Sequence, residues 1–461
     1  MQSNNLISEI QPVLNSGICV GCGICAVLAP EAIQMLRDND GVMTAKIKDA
    51  LAAEKITAGI CPFNSASANE DAHAARIWPE LPIDEAFGRF RSLWAGHVSE
   101  GEYRIAGSSG GITTWLLAEV LSSGLVDAVI HVHPEMGEEK TSLFSYSVSR
   151  NISEVQAGSK TRYYSVSMEK ALVEVLRTGE RIALVGVPCF IKAARNLAVR
   201  IPNFSEQLVM TLSLVCGHMK SAGFVESLAW QAGVKPHELV SADFRVKVAG
   251  FSANNYGFAA WRNGTRPIIR PMAKMAGRRW DGGYHRLKAC DYCDDVFGET
   301  ADVSLGDAWL PEYVNDYKGT NILVVRSSVI DAVIRQGLTG ERLSLKELTP
   351  DRIAAAQSGG LRDRRQGLAY RLYLDDLSGK WRPQRRVEPY SQGLTLMRRI
   401  NYRLRRLVRQ RSFASIRFAR KIGVIHLYVW EMTFWHACFK VLSLIEKRLI
   451  HVNVGERSSQ N

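Results

Sequence analysis

Three cysteines, each separated from the next by two residues, constrain this chain more than any other feature. Cys19, Cys22 and Cys25 lie in the segment GICVGCGICAVLAP, with Gly21 and Gly23 between them. Two-residue spacers on a tight loop turn three thiolates toward the corners of one iron-sulfur cubane, and glycine permits the sharp wrap. The spacing therefore predicts a 4Fe-4S cluster near the start of the chain.

The fourth ligand must come from elsewhere. In the bacterial ferredoxin run a further cysteine follows four positions later, before a proline. Here that position is Ala29, before Pro30, whereas Cys61 precedes a proline in GICPFN. We predict that Cys61 joins the three. A zinc site is the alternative, because CxxC pairs bind zinc equally well, but three closely spaced cysteines favour iron-sulfur.

Four more cysteines lie in the middle of the chain: Cys189 in GVPCF, Cys216 in LVCGH, and the pair Cys290 and Cys293 in KACDYCDDVFG. Cys189 and Cys216 each follow a strand-like apolar run, so parallel strands would bring both thiols to one sheet edge. A lone cysteine is usually a small buried apolar residue, but the later pair favours a second metal site. Cys438, in an apolar stretch of the tail, is interpreted as a packing or membrane-facing residue.

Composition indicates an ordinary folded protein. The 461 residues are 46% hydrophobic, enough for two or three domains. Nine cysteines are too sparse for a disulfide scaffold, and the N-terminus MQSNNLISEI lacks the basic-then-apolar pattern of a signal sequence. A cytoplasmic protein with reduced thiols is expected.

Alternating patterns predict an α/β core. GITTWLLAEVLSSGL and MEKALVEVLRTG are typical of helices, whereas DAVIHVH and RIALVGVP are typical of strands. This alternation favours a mixed or mainly parallel sheet. We predict three parts: a ferredoxin-like module over 1–75, an α/β domain over 76–380, and basic amphipathic helices over 381–461.

The net charge of +12 lies at the C-terminal end, because the segment from Arg382 onward holds 17 Lys and Arg against 4 Asp and Glu. A helix rich in arginine is followed by IGVIHLYVWEMTFWHACFKVLSLI, which is long enough to span a bilayer but contains Glu431 and Lys440. We expect this tail to lie on the inner face of an anionic membrane. A helical interface with another protein is the alternative. Nucleic acid is not expected, because no recognition motif accompanies the charge.

Over about residues 15–330 the chain resembles a known family, the beta subunits of coenzyme F420 hydrogenase and dehydrogenase. These iron-sulfur flavoproteins include the plant reductase of hydroxymethyl-chlorophyll a. The motifs that carry the resemblance are CVGCGIC, GSSGGITTWLLAEVL, AGSKTRYY, LVGVPCFIKAARNL, LVCGHMKS, and CDYCDDVFGETADVSLGDAW followed by KGTNILVVR.

The resemblance implies FAD in the α/β domain and a second 4Fe-4S cluster on Cys189, Cys216, Cys290 and Cys293. The loop GSSGGIT opens a helix whose N–H groups suit the flavin pyrophosphate, although such a loop is also an ordinary helix start. The residues expected to bind the flavin are Ser108, Ser109, Gly110, Gly111, Thr113, Ser159, Lys160, Gly306 and Asp307. His218 is a candidate proton donor, with a structural hydrogen bond as its alternative role.

The expected activity is a reductase in which electrons from ferredoxin or a similar carrier pass through two clusters to FAD and on to an organic substrate. The resemblance extends to substrates that are lipid-linked or belong to polysaccharide biosynthesis. Two alternatives stay open: a non-catalytic electron-transfer subunit of a larger complex, and a dehydrogenase that uses coenzyme F420 as a further cofactor. A zinc-stabilised binding protein is a third.

Overall fold

A computed structural model of the chain describes residues 10–49, 52–53, 59–135 and 142–458. Side chains are described as far as Glu446. Within these ranges, none of the helices combines the length and the apolar character that crossing a bilayer requires.

Fifteen strands occur in these ranges. The strands are β1 Ile33–Arg37, β2 Met43–Ile47, β3 Ile83–Asp84, β4 Gly88–Arg89, β5 Ser92–Val98, β6 Ala128–Pro134, β7 Phe144–Ser149, β8 Ile182–Gly186, β9 Leu208–Leu214, β10 Ser241–Val246, β11 Gly257–Trp261, β12 Ile268–Pro271, β13 Val303–Asp307, β14 Asn321–Val325 and β15 Leu343–Glu347.

The helices include two long ones at the C-terminal end. The α-helices are α1 Gln11–Asn15, α2 Ile24–Leu28, α3 Glu70–Ile77, α4 Tyr103–Ala106, α5 Ile112–Ser122, α6 Ile152–Ala157, α7 Glu169–Thr178, α8 Pro188–Arg200, α9 Pro202–Gln207, α10 Ala222–Gln231, α11 Pro311–Val314, α12 Ser328–Thr339, α13 Pro350–Ala356, α14 Ser358–Arg362, α15 Leu368–Leu377, α16 Leu396–Ile422 and α17 His426–Ser458. Short 3₁₀ helices cover Pro236–Glu238, Met272–Lys274 and Lys288–Tyr292, and a π-helical turn covers Asp363–Gly367.

An eight-stranded sheet forms the centre of the molecule, in the order β15-β5-β14-β13-β9-β8-β6-β7. The four middle strands, β13, β9, β8 and β6, are parallel to one another. The remaining four pairings, on either side of them, are antiparallel. The mixed α/β sheet is therefore confirmed, while "mainly parallel" holds only for its middle. The parallel strands are the ones whose carboxyl ends precede Cys189 and Cys216.

Both faces of the sheet are covered, which explains why its middle strands are apolar throughout. In β8, Ile182 and Leu184 pack into one core while Ala183 and Val185 pack into another, because successive side chains of a strand point to opposite faces. Helix α8 lies against the first core and α5, through Trp115, against the second. The helices and strands predicted around these segments are confirmed.

The N-terminal module packs onto the first core rather than standing apart from it. Val20, Ile24 and Phe63 belong to the same buried cluster as the side chains of α8 and β8. The backbone N–H of Met168 donates to the carbonyl of Cys22 at 3.1 Å, which ties the cysteine loop to the start of α7. The loop carrying the first cysteines is thus seated directly on the α/β domain.

The tail forms two helices that contact each other, α16 and α17. The sequence predicts that this basic tail lies on an anionic membrane, but several arginines of α16 face the domain instead. Arg405 pairs with Asp363 at 2.9 Å, Arg406 with Asp375 at 2.7 Å, and Arg409 with Asp291 at 3.2 Å. The physical reason is that these three carboxylates are buried and need cations beside them. Much of the basic face is therefore consumed inside the molecule.

Candidate functional site

Cys19, Cys22, Cys25 and Cys61, the first cysteine group, surround one cavity. Besides the four cysteines, the lining of this cavity consists of backbone and apolar side chains such as Ile24 and Met35. Gly21 and Gly23 both have positive φ, at 77° and 85°, so they supply the left-handed turns that wrap the loop around it. A side chain at Gly23 would collide with Ser167.

Burial disfavours the ionised form of these thiols. It raises the pKa of Cys61 to about 11 and raises the pKa values of Cys22 and Cys25 further. The sulfur atoms raise one another's pKa as well, because each disfavours a second negative charge nearby. Backbone N–H groups, for example that of Phe63 at Cys61, oppose the rise. Burial therefore disfavours the thiolates of Cys22, Cys25 and Cys61, and a bound cation would favour them.

Cys189, Cys216, Cys290 and Cys293, the second cysteine group, meet at the carboxyl ends of parallel strands. Cys189 lies in the first turn of α8, just after β8, and Cys216 follows β9. The N–H of Cys216 donates to the carbonyl of Val296 at 2.9 Å, which fastens the loop after Cys293 to the sheet. The structure brings these four cysteines together at one edge of the sheet.

The thiols of the second cysteine group also interact with one another. Burial raises the pKa of Cys189 well above its usual value, and Cys293, Cys216 and Cys290 raise it further. The N–H of Met219 donates to the sulfur of Cys290 at 3.3 Å. Such N–H to sulfur bonds stabilise a thiolate.

The two cysteine groups are neighbours. Cys22 of the first contributes to the raised pKa of Cys189 of the second. Tyr146 lies beside both groups. Burial raises its pKa, and Cys189 and Cys22 raise it further. Its ring stacks on Phe190 at 5.9 Å, next to Cys189 in α8. An aromatic pair therefore borders the junction between the two groups.

Neither group is arranged as a ready site for one ion. Among the described residues, no set of three or more His, Cys, Asp or Glu side chains has the compact spacing of a single-metal site. Cys438 belongs to neither group and is half-buried on α17, where it interacts with Tyr284.

The three segments predicted to bind flavin lie together. The hydroxyl of Ser108 accepts from the N–H of Thr161 at 2.8 Å, which joins the loop GSSGGIT to AGSKTRYY. Asn321 joins the loop GSSGGIT to the third segment, which is the end of β13. Its Oδ1 accepts from the N–H of Ile112 at 3.4 Å, and its Nδ2 donates to the carbonyl of Gly306 at 3.1 Å. The start of α5 and the end of β13 are thus adjacent.

Several of these residues already have structural partners. The hydroxyl of Ser109 donates to the carbonyl of Thr320 at 2.9 Å. A side chain at Gly110 would crowd Gly96 of β5, one at Gly111 would collide with Tyr103, and one at Gly306 would crowd Val215. The glycines are therefore needed for close packing. Ser159 and Thr113 lie in the same region, half-buried.

A cluster of cations lies beside this loop. Lys160, which has a φ of 88°, pairs with Asp243 at 3.3 Å, and Arg245 pairs with Asp307 at 2.6 Å. Lys247 donates to the carbonyl of Ser109 at 2.8 Å. Burial, followed by the neighbouring charges of Lys160, Arg104 and Arg245, lowers the pKa of Lys247 to about 7. Burial is the largest cause of this low pKa, and the neighbouring cations add to it.

Aromatic rings connect this basic cluster with the second cysteine group. His218, two residues after Cys216, packs on Trp280 at 4.4 Å, and Trp280 packs on Tyr163 at 4.7 Å. Arg245 lies over Tyr256 at 5.0 Å. The Nε2 atom of His218 is buried and has no hydrogen-bond partner within the described part of the chain. Planar surfaces and one unsatisfied donor or acceptor thus lie between thiols and cations.

Sequence reasoning missed the residues that come from the segment after α10. No recognisable spacing in the sequence marks Asp243, Arg245, Lys247 and Trp280. Strand β10 belongs to the small sheet β10-β11-β12 and not to the eight-stranded sheet. Lys247 follows a strand and points its charge at a glycine-serine loop over a hundred residues earlier. No local pattern reports such a contact.

The sequence matches two halves of one protein family. Residues 93–173 match the N-terminal part, and residues 179–351 the C-terminal part, of the beta subunits of coenzyme F420 hydrogenase/dehydrogenase. Together they span more than half of the chain. The chain therefore belongs to the family of coenzyme F420 hydrogenase/dehydrogenase beta subunits, a family of redox proteins.

Relatives are distant. A protein named as part of the F(420)H(2) dehydrogenase of Methanosarcina mazei is 22% identical over 346 residues, covering 70% of this chain and 82% of that protein. The coenzyme F420-dependent sulfite reductase of Methanocaldococcus jannaschii is 26% identical over 196 residues, 41% of this chain and 26% of that protein. A chain of the F420-reducing [NiFe] hydrogenase complex of Methanosarcina barkeri is 17% identical, with a TM-score of 0.49, covering 68% of this chain and all of that one.

Proposed function

We propose that this protein is an iron-sulfur flavoprotein reductase that holds two 4Fe-4S clusters and one FAD. The observation that carries the proposal is the continuous arrangement of its parts. The first cysteine group borders the second at Cys22 and Cys189, and the second continues through His218 and Trp280 to the basic cluster. When bound, the clusters supply one-electron transfer and the flavin supplies two-electron chemistry.

Each cysteine group fits a cubane better than a single zinc ion. Four thiols on one zinc lie close together, whereas each thiol of a cubane binds a different iron and the four stand farther apart. The first cavity is lined by the four cysteines and by apolar side chains. The apolar lining of the first cavity suits a buried cluster. In the second group, the N–H bond that the sulfur of Cys290 accepts suits one as well.

The basic cluster fits an anionic dinucleotide. Lys160, Arg245 and Lys247 provide charge for a pyrophosphate beside the start of α5. Tyr163 and Trp280 offer faces against which a planar ring can pack. In this role Asp307 orients Arg245, to which it is paired at 2.6 Å.

We assign His218 the role of a donor to the substrate as a neutral imidazole, because burial and the nearby cations hold its pKa well below the usual range. Its buried Nε2 has no partner in the described residues, so a substrate oxygen or a water molecule would satisfy it. The packing of its ring on Trp280 fixes the direction of that atom. The substrate class, including the lipid-linked or polysaccharide intermediate expected from the resemblance, is part of this proposal and no contact distinguishes it.

An anaerobic reductive titration tests the proposed function. A chain with two clusters and one FAD takes up about four electrons, one for each cluster and two for the flavin. We expect flavin bleaching and cluster bleaching in the same titration, and loss of the flavin part alone in Arg245→Gln. Arg266→Gln, at an exposed arginine, is the matched control. Uptake of two electrons without flavin bleaching would contradict the proposal.

A non-catalytic electron-transfer subunit is the second candidate. The relative from Methanosarcina mazei is named as one subunit of a dehydrogenase, which favours this role. Steady turnover of an artificial acceptor by the isolated chain, lowered by His218→Gln, would favour the reductase. Turnover that appears only after addition of a partner protein would favour the electron-transfer role.

We further propose that the outer face of α16 and α17 rests on an anionic membrane. Twelve of the 26 exposed large apolar side chains in the described residues lie between Leu396 and Ile445. Trp430 and Phe434 stack on that face, and Lys421 and Lys440 are exposed beside it. The two carboxylates of these helices with described side chains, Glu431 and Glu446, are paired with arginines, so the face is apolar and cationic.

Vesicle binding decides this point. We expect the full chain to sediment with vesicles containing phosphatidylglycerol and not with pure phosphatidylcholine. A double variant, W430A with F434A, should bind about tenfold more weakly or worse, because it removes two inserting side chains. Ile269→Ala, at an exposed apolar position outside the tail, is the control. Concentration-dependent dimerisation without vesicle binding would instead indicate a protein interface.

A further inference from the structure

A buried arginine lies among the thiols of the second cysteine group. Arg364 is only 1% exposed, in the π-helical turn Asp363–Gly367. Its guanidinium donates to the carbonyl of Gly217 at 2.6 Å and to the carbonyl of Cys290. π-Helical turns inside a helix often mark functional positions.

Arg364 also lies beside the second member of the cysteine pair, because its guanidinium is 3.5 Å from the carbonyl of Cys293. Its Nε is buried and has no hydrogen-bond partner within the described ranges. The charge of Arg364 interacts with the thiols. Burial lowers the pKa of Arg364, whereas Cys293, Cys290 and Cys216, in that order, raise it. Arg364 in turn opposes the effect of burial on the pKa of Cys216 and Cys293. Three of the four thiols therefore interact with one cation.

Asp363, the carboxylate next to Arg364 in the sequence, does not balance the charge of Arg364, because it is paired with other arginines. Asp363 pairs with Arg286 at 2.8 Å, with Arg371 at 3.0 Å and with Arg405 at 2.9 Å. One carboxylate thus serves three arginines, and Arg364 adds a fourth cation to the same buried region. Several cations therefore lie near the second cysteine group, although Asp294 and Asp295 act on Cys293 in the direction opposite to Arg364.

An arginine also lies near the first cysteine group, but it influences a single thiol. Arg385 opposes the effect of burial on Cys61, but arginine does not figure among the main influences on Cys22 or Cys25. Arg385 itself lies 4.9 Å from the ring of Phe63. The two groups therefore have the same kind of ligand but differ in how many of their thiols interact with an arginine.

We propose that Arg364 raises the reduction potential of the second cysteine group, when loaded, above that of the first. A thiolate-bound cluster becomes more negative on reduction, so a buried cation stabilises the reduced form. This order favours the second group as electron acceptor from the first. Arg364 acts through the thiols and is a positioning and charge-setting residue. The inference rests on the proposed function, because it presumes a cluster in each group.

The test is a potentiometric titration of the full chain, purified without oxygen and followed by electron paramagnetic resonance. In Arg364→Gln we expect the higher of the two potentials to fall by a factor of ten or more in its equilibrium constant, about 59 mV for one electron. The lower potential should not move. Arg364→Lys, which keeps the charge, should shift it less, and Arg403→Gln at an exposed arginine should shift neither.

A second variant separates charge from structural damage. Asp363→Asn leaves more positive charge uncompensated, so it should raise the same potential that Arg364→Gln lowers. If Arg364→Gln loses its iron, the Asp363→Asn shift decides alone. Movement of the lower potential, of both together or of neither would overturn the proposal. Iron analysis of the unmodified chain, made first, distinguishes these outcomes from failure of the proposed function, in which two clusters are absent.

Discussion

The two cysteine groups are built in different ways although they have the same composition. Three members of the first come from one loop of seven residues, Cys19–Cys25, shaped by two glycines with positive φ. The second gathers its members from the ends of β8 and β9 and from the 3₁₀ helix after residue 287. The first depends on local backbone geometry, and the second depends on the sheet and on what braces it. Substitutions should therefore damage the two groups by different routes.

The largest expected effect is the loss of one group at a time. Cys25→Ala should remove the first cluster and leave the second, and Cys290→Ala should do the reverse, because neighbouring groups share no ligand. Iron content should halve in each variant, from about eight to about four per chain. Cys438→Ala is the control and should change nothing. Loss of all iron from either variant would mean that the two groups form one cooperative unit.

The second effect concerns the brace on the second group. Arg409→Ala leaves the buried Asp291 without one of its cations, and Asp291 lies next to Cys290. Leaving a buried charge without any partner costs about 3–5 kcal/mol, and the cost here is smaller because Arg286 stays beside Asp291 at 3.2 Å. We expect thermal unfolding to shift downward and the second cluster to be lost first. Lys421→Ala, on the exposed face of the same helix, should leave both unchanged.

A smaller effect is expected from the loop of the first group. Gly23→Ala puts a side chain at φ 85° and against Ser167, which should cost about 1–3 kcal/mol. The first cluster should become easier to remove with a chelator, while the second keeps its rate of loss. Gly124→Ala is a matched control, because Gly124 also has positive φ but has open space around it. Equal sensitivity of both clusters would contradict the local origin of the first group.

The smallest effect is a pH dependence of flavin binding. Lys247, with a pKa of about 7, is protonated below pH 7 and must take up a proton above it to meet an anion. Affinity for FAD should therefore be highest below pH 7 and fall by up to about tenfold per pH unit above it. Lys247→Met should bind more weakly and abolish this slope. The slope can be measured by fluorescence titration, and a flat profile in the unmodified chain would exclude Lys247 from the site.

How much could be predicted from the sequence follows the same division. Spacing alone identified Cys19, Cys22 and Cys25, because a tight loop places its own residues. The convergence of Cys189 and Cys216 followed from the strands before them, since parallel strands present their carboxyl ends together. The sequence predicts a mixed or mainly parallel sheet, but it does not show which strands are antiparallel, β15 among them.

Residues brought in by distant packing escaped prediction. Arg245, Lys247 and Trp280 reach the candidate site only through tertiary contacts, and Arg364 lies outside every recognised motif. The pairing of the α16 arginines with the domain could not be predicted, because helical periodicity shows which residues share a face and not which face is buried. Buried carboxylates on the domain, such as Asp363, decided that question.

The most direct test of the account is quantification of iron, acid-labile sulfide and flavin in the chain purified without oxygen. The account predicts about eight irons, about eight sulfides and one FAD per chain. About four irons would remove the second cluster, and with it the role of Arg364. Zinc without flavin would contradict the redox account altogether.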